Sequence, residues 1–399
     1  MRKRKKQLHR RRKPKQYGRP KKPRKPIAQP TYQCEADVAE GLEPIAVEEL
    51  RGRFGQSVTL YRNTSVQPGK VRFGYTGDLR HLLKLQTVLT VHLAQYYPIP
   101  RPRALLGDQH FRTLLAQINT VRDLMPPDSY RLLYLSAAGS DSSVMNRIKE
   151  EVAAHCGLMV ASDEGDLLIR IRRPAQKKEG WEVLVRLSPR PLSTRPWRVC
   201  NMEGALNATV AHTMVRLTRP TQSDIFLNLA CGSGTLLIER LACGPAGRMI
   251  GCDISHKALA CAYANIKKSG NQVLMQEEPL SIANPPPLLP KKGDKKPVVD
   301  LYRWDARILP IPDQNVDVLC ADLPFGHLVG SHAQNVELYP AIMQEAARVA
   351  KRGGLFALIT HEVRLMESLL EQSRVWQVKQ VQMVTLGGLH PRIFVLRRR

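Results

Sequence analysis

Cysteine is sparse and scattered: eight residues in 399, at 34, 156, 200, 231, 243, 252, 261 and 320, with no Cys-x-x-Cys pair. That spacing excludes a zinc ribbon and argues against a disulfide framework, so a reducing cytoplasm is the expected compartment. No run of eighteen apolar residues occurs, which leaves no transmembrane span to expect. The first thirty residues contain no acidic residue and no serine, and no apolar stretch follows their basic start. Neither a secretory signal nor a transit peptide is expected on that reading.

Positive charge is what the chain has in excess. Lys and Arg number 61 against 35 Asp and Glu, a net +26 with a pI near 10.0. Residues 1–30 carry +15 of it and the remaining body +11. Such a field favours polyanionic partners, nucleic acid first. A membrane surface ranks below it, since no amphipathic anchor or lipidation signal accompanies the charge. Pro14, Pro20, Pro23, Pro26 and Pro30 interrupt the basic stretch, so residues 1–30 are expected to be a disordered arm making non-specific phosphate contacts.

The hydrophobic content of 43% suffices for sizeable cores. Residues 31–187 read as an α+β region, with strands expected at Tyr32–Asp37, Arg131–Ala138, Asp166–Arg172 and Trp181–Leu187 and a helix at Ser142–Cys156. This region holds no acid–base cluster suited to catalysis and reads as a binding module. Residues 188–202 form a Pro-rich basic linker in which Arg190, Arg195 and Arg198 are expected to touch RNA. From 203 to 399 strands and helices alternate, which predicts a mostly parallel, doubly wound α/β sheet of seven strands. Gly387-Gly388 suits a turn that pairs the last two strands antiparallel. A Pro/Lys-rich stretch near 276–297 reads as a surface insertion.

The strand Ile225–Leu229 leads into Ala230-Cys231-Gly232-Ser233-Gly234-Thr235 and then an apolar helix. This order lets a ligand approach the backbone closely at a helix start. A dinucleotide fingerprint from Gly232 requires glycine at 237, where Leu237 stands, and no Lys-Ser/Thr pair follows for a P-loop. Asp253, 19 positions after Gly234 and ending the next strand, is placed to accept ribose hydroxyls. Asp305, beside Ala306 after the third strand, is placed to accept an adenine amine. Adenine and ribose without pyrophosphate describe S-adenosylmethionine.

The fourth strand ends in Asp322-Leu323-Pro324-Phe325-Gly326. The Asp322 carboxylate and the Leu323 carbonyl can accept the two hydrogens of an exocyclic base amine. Pro324 fixes the turn, and Phe325 offers a face for a base drawn out of its stack. Catalysis then rests mainly on alignment, with Asp322 available for the proton and no metal or covalent nucleophile required. His327, His332 and His361 read as loop or helix-end residues, and Cys231 as a packing residue.

With Cys231-Gly232-Ser233-Gly234-Thr235, Gly251-Cys252-Asp253-Ile254, Asp305-Ala306 and Asp322–Gly326 in order, the C-terminal half resembles class I S-adenosylmethionine-dependent methyltransferases of the amino-methylating type. Gly41-Leu42-Glu43, Glu48-Glu49-Leu50 and Arg195-Pro196-Trp197-Arg198 make the whole body similar to the THUMP-domain guanosine N2-methyltransferases. The resemblance implies a Rossmann-like catalytic domain preceded by ferredoxin-like and THUMP-type RNA-binding parts. It also implies a guanosine of the tRNA acceptor stem as substrate and, in some relatives, a small activating protein partner. By the same resemblance, Ala230, Cys231, Gly232 and Gly234 wrap the methionine portion, while Asp253 and Ile254 meet the ribose and Asp305 and Ala306 the adenine. Asn228 stands where relatives often carry Asp, at the contact to the methionine ammonium. Leu323-Pro324 stands where they often carry Pro-Pro. Alternatives in the same chemistry are a guanine of ribosomal RNA and the N6 amine of adenine. An inactive RNA-binding protein is a third reading, which the intact glycines, Asp253 and Asp322 motif argue against.

Overall fold

A computed structural model of the chain describes residues 31–61, 67–174, 179–276, 298–325, 331–385 and 387–399. The basic arm 1–30, nearly all of the 276–297 insertion, Gly326 and His327 lie outside the described residues.

The N-terminal half is built on one eight-stranded sheet. Its strands are β1 (Tyr32–Asp37), β2 (Val58–Leu60), β3 (Lys70–Tyr75), β4 (Thr90–Tyr97), β5 (Leu132–Ala137), β6 (Met159–Val160), β7 (Leu167–Arg172) and β8 (Trp181–Arg186). They lie in the order β2-β3-β1-β4-β8-β7-β5-β6. Strict alternation along β1, β3 and β7 puts Cys34, Ala36, Val71, Phe73, Ile169 and Ile171 into the core. The opposite face carries a lattice of charge in which Glu35 pairs with Arg72 and Arg172, and Asp37 with Lys70 and Arg170. Three helices accompany this sheet: α1 (Glu43–Phe54), α2 (Asp108–Arg122) and α3 (Ser143–Cys156). The Ser142 hydroxyl caps α3 by accepting from the Met145 N–H.

The second half opens with α4 (Ala208–Leu217), capped by Asn207. It continues through β9 (Ile225–Leu229), α5 (Thr235–Ala242), β10 (Arg248–Cys252), α6 (His256–Lys268), β11 (Gln272–Gln276) and β12 (Val298–Tyr302). It ends with β13 (Val316–Asp322), α7 (His332–Val349), β14 (Ala350–Thr360), α8 (Val363–Gln372), β15 (Trp376–Met383) and β16 (Arg392–Arg398). The sheet order is β11-β12-β10-β9-β13-β14-β16-β15, parallel through β14 and antiparallel for the last two strands. It has eight strands rather than the seven expected. Gln272–Gln276 pairs with β12 as an extra edge strand, and its mixed polar sequence gives no alternating signal. Chain order reverses between β9 and β13, so a crevice opens at their C-terminal ends.

The two halves are stitched together. Glu40 and Thr385 exchange both backbone hydrogen bonds, at 3.1 and 2.9 Å, and the Gln382 amide donates to the Gly41 carbonyl at 2.6 Å. Arg195 donates to the Gln86 and Leu192 carbonyls and to Glu239 of α5. One covalent tie was unexpected. Cys200 and Cys261 form a disulfide, with Cα atoms 5.4 Å apart. Asn265 brings them together by accepting from the Val199 and Cys200 N–H groups and donating to the Cys200 carbonyl. The scattered thiols are thus not all free, because pairing depends on this tertiary contact and not on local spacing.

Candidate active site

The glycine turn lies at the C-terminal end of β9. Ala230, Gly232 and Gly234 all have positive φ, at 46°, 52° and 79°. A Cβ at Gly232 would meet nothing within 4 Å, so the turn borders open space into which a ligand fits. Asp253 closes one side of that space. One of its carboxylate oxygens accepts from the Gly232 N–H and the other from the Ser255 N–H, both at 2.9 Å. Each oxygen keeps a lone pair for a further donor, which suits a pair of ribose hydroxyls. Ile254, next in sequence, is 65% exposed and presents an apolar surface beside the carboxylate.

Asn228 is buried within β9, and its amide donates to the carbonyls of Leu229 and Cys320. Its Oδ1 has no partner, an unsatisfied acceptor at the strand end where an ammonium group would be met. Cys231 is buried, and burial pushes its thiol well above the ordinary value, so it is an inert packing residue. Asp305 follows β12, with Ala306 buried beside it. Its carboxylate is already engaged by Arg307, at 2.6 to 3.0 Å, and these hydrogen bonds hold it below the usual range. An adenine amine there would share the carboxylate with Arg307, whose side chain is largely exposed.

Asp322 ends β13, the strand beside β9. Its carboxylate has no hydrogen-bond partner among the described residues, and loss of water around it pushes its pKa from 3.8 up to about 7. Leu323 is anchored through its N–H to the Ile359 carbonyl at 3.1 Å. The Pro324 carbonyl is held by two buried donors of α7, Asn335 at 3.0 Å and the Tyr339 hydroxyl at 2.6 Å. That hydroxyl also meets Thr360 Oγ1 at 2.7 Å. Phe325 lies 6.0 Å from the His361 ring, tilted by 39°. Asn335, Tyr339 and Thr360 were not anticipated as parts of the site. Their local sequence carries little signal: Asn335 lies among other polar residues of α7, Tyr339 follows its leucine, and Thr360 ends an apolar strand.

The linker arginines require a correction. Arg195 is 7% exposed and locked between Glu239 and two carbonyls, so it cannot reach RNA. Arg198 is half-buried and donates to the Leu206 carbonyl and to Thr235 Oγ1, bracing the start of α5. Of the three, Arg190 alone stands exposed. Proline-rich basic sequence resembles a surface strap, but Glu239 and the free carbonyls draw two of its arginines inward. Among the described residues no group of three or more His, Cys, Asp or Glu is placed to hold a metal ion, and no helix is long and apolar enough to cross a membrane.

Residues 195–284 and 291–392 match the family UPF0020, described as an RMKL-like methyltransferase domain. These stretches make up just under half of the chain and are similar to that domain. Within them, the glycine turn, Asp253 and Asp322 occupy the C-terminal ends of neighbouring strands. The chain is 29% identical over 195 residues to tRNA (guanine(6)-N(2))-methyltransferase THUMP3 of Bos taurus, covering 48% of this chain and 36% of that protein. It is 26% identical over 231 residues to tRNA (guanine(6)-N2)-methyltransferase of Thermus thermophilus, covering 58% and 60%. The match to the mammalian relative thus spans about a third of its length. The structure of TrmN from Thermus thermophilus superposes with a TM-score of 0.66 at 22% identity, covering 92% of this chain and all of that one. That likeness is one of fold, and it extends over both sheets of the chain.

Proposed function

We propose that the protein transfers a methyl group from S-adenosylmethionine to the exocyclic N2 amine of a guanosine in RNA, a tRNA acceptor-stem guanosine first. The observation that carries this reading is Asp322: an unpartnered carboxylate with its pKa raised to about 7, one strand from an open glycine turn. The cofactor reading rests on the space beside Gly232, the free lone pairs of Asp253 and the unsatisfied Oδ1 of Asn228. When bound there, S-adenosylmethionine supplies an electrophilic methyl group. The chain's own residues do the rest. Asp322 and the Leu323 carbonyl hold the two amine hydrogens, Phe325 covers a base face, and Asp322 takes up the proton released on alkylation. A carboxylate with a pKa near 7 suits that last task at neutral pH.

The tRNA assignment is supported by the names of the relatives above, and the N-terminal half is proposed as the ferredoxin-like and THUMP-type RNA-binding part. Cytoplasmic location goes with a tRNA substrate. The test is nucleoside mass spectrometry of unmodified tRNA and ribosomal RNA incubated with the protein and isotope-labelled cofactor. Labelled N2-methylguanosine in the tRNA is expected. Label only in N6-methyladenosine, or only in ribosomal RNA, would transfer the assignment to that substrate. No label in any RNA, with cofactor binding absent by calorimetry, would refute the enzyme.

A further inference from the structure

A concave site lies at the far end of α5 from the glycine turn, where α1 of the N-terminal half faces α4 and α5. It is an open hollow of about 410 Å³ lined by Glu48, Arg53, His212, Arg216, Arg219 and Cys243. The eight residues of α5 separate it from the glycine turn by about 12 Å. It is therefore no part of the catalytic crevice.

Cations outnumber anions here. Arg53 leans on Glu49 at 2.8 Å, but that carboxylate also takes the Gln86 and Thr87 N–H groups and the Thr87 hydroxyl. Arg216 reaches only Glu48, at 3.3 Å, and the Glu48 side chain is 75% exposed, which makes the pair weak. Glu239 is shared between Arg195 and the His212 ring. Burial opposes charge on His212, yet its contacts with Cys243 and Glu239 outweigh that and raise its pKa; any charge on the ring is matched by Glu239, so it adds nothing to the excess. Arg219 has no partner among the described residues. Its backbone is held at a φ of 51°, a conformation that disfavours any side chain, by the bond from its N–H to the Arg216 carbonyl. Arg219 is exposed, so the unpaired charge stands at the mouth of the recess, where it can meet an anion from solvent.

We propose that this interdomain recess is a phosphate site in which Arg219 and Arg216 clamp one backbone phosphate of the RNA, away from the reacting nucleotide. Guanidinium forks match phosphate oxygens in geometry and charge, and two arginines at one mouth allow both to bind the same group. The proposal rests on the RNA reading above. It also supplies the basic contact that Arg195 and Arg198 cannot make.

The test is the affinity of the full chain for unmodified tRNA between 50 and 200 mM salt. Arg219→Ala is expected to weaken binding about fivefold and to reduce the log–log salt slope by about 1. Melting temperature and cofactor affinity are expected to stay unchanged, because Arg219 supports no other contact. Arg374→Ala, removing an exposed arginine beside β15, serves as control. An equal loss in that control would overturn the site as a general charge effect. In a second arm, inorganic phosphate is titrated against melting temperature. If phosphate stabilises the parent protein but not Arg219→Ala while tRNA affinity is unaltered, a free phosphate compound is the ligand and the RNA assignment fails. A parent protein that binds no tRNA at any salt would defeat the underlying RNA reading itself.

Discussion

Replacing Asp322 by asparagine should destroy activity and stabilise the fold, in a pH-dependent way. In the unfolded chain the carboxyl titrates near 3.8; in the folded protein desolvation lifts it to about 7. Above pH 7 both states are ionised, and only the folded one holds the charge with part of its water removed. At 1.36 kcal/mol per pH unit, the cost is about 4 kcal/mol as an upper limit, since the carboxyl is partly exposed. The sign follows from proton uptake. Between 3.8 and 7 the folded state binds the extra proton, so this contribution to stability falls as pH rises through that window. Below it the cost is absent. Asp322→Asn, nearly equal in volume and unable to ionise, should therefore melt several degrees above the parent at pH 8. The gain should shrink by more than half at pH 5. Thermal denaturation at both pH values, with methyl transfer measured on the same preparations, checks both halves. An unchanged melting temperature at pH 8, or a gain equal at both pH values, would refute the claim of a desolvated unpartnered carboxylate. Normal turnover by the variant would refute its role in holding the amine.

Other expectations concern what supports the site. Tyr339→Phe removes the hydroxyl that spans Pro324 and Thr360. It should lower kcat about tenfold while leaving cofactor affinity intact, with a stability loss of about 1 kcal/mol in a melting experiment. Gly41→Ala would place a Cβ 2.3 Å from the Met383 carbonyl oxygen at a φ of 92°, costing at least about 2 kcal/mol by urea denaturation. Reducing the Cys200–Cys261 bond, which closes a separation of 61 residues around β9 and β10, should cost about 4 kcal/mol by the loop-entropy relation. A melting temperature unchanged by reductant would show that Asn265 alone holds the linker.

Sequence reading located the catalytic sheet well where apolar runs end in distinctive punctuation. Ile225–Leu229 and Val316–Asp322 have the expected limits, because each is a short buried run terminated by the glycine turn or by an Asp-Leu-Pro. The α4 helix begins at Ala208 because the Asn207 side chain caps it. What stayed hidden depends on partners distant along the chain. Arg190 and Arg195 lie five residues apart in similar surroundings, yet Glu239 buries only the second. The α2 helix and β11 lack strong punctuation in the sequence. Tyr339 reads as one more apolar helix residue until the Pro324 carbonyl is seen above it.

The seam between the halves has a kinetic meaning. Among the described residues, strand-like bonds at Glu40 and Thr385, the close approach at Gly41 and Arg195, which joins Gln86 to Glu239, tie the N-terminal sheet to the crevice at several points. A preformed, two-part surface binds with little reorganisation of its own. On the proposed function, the conformational work of delivering a nucleotide to Asp322 falls on the nucleic acid, whose target base must leave its stack to reach a carboxylate that waits in place. Substrates whose target pair is already weakened should react fastest, and selectivity would arise from how easily RNA deforms rather than from how the protein closes.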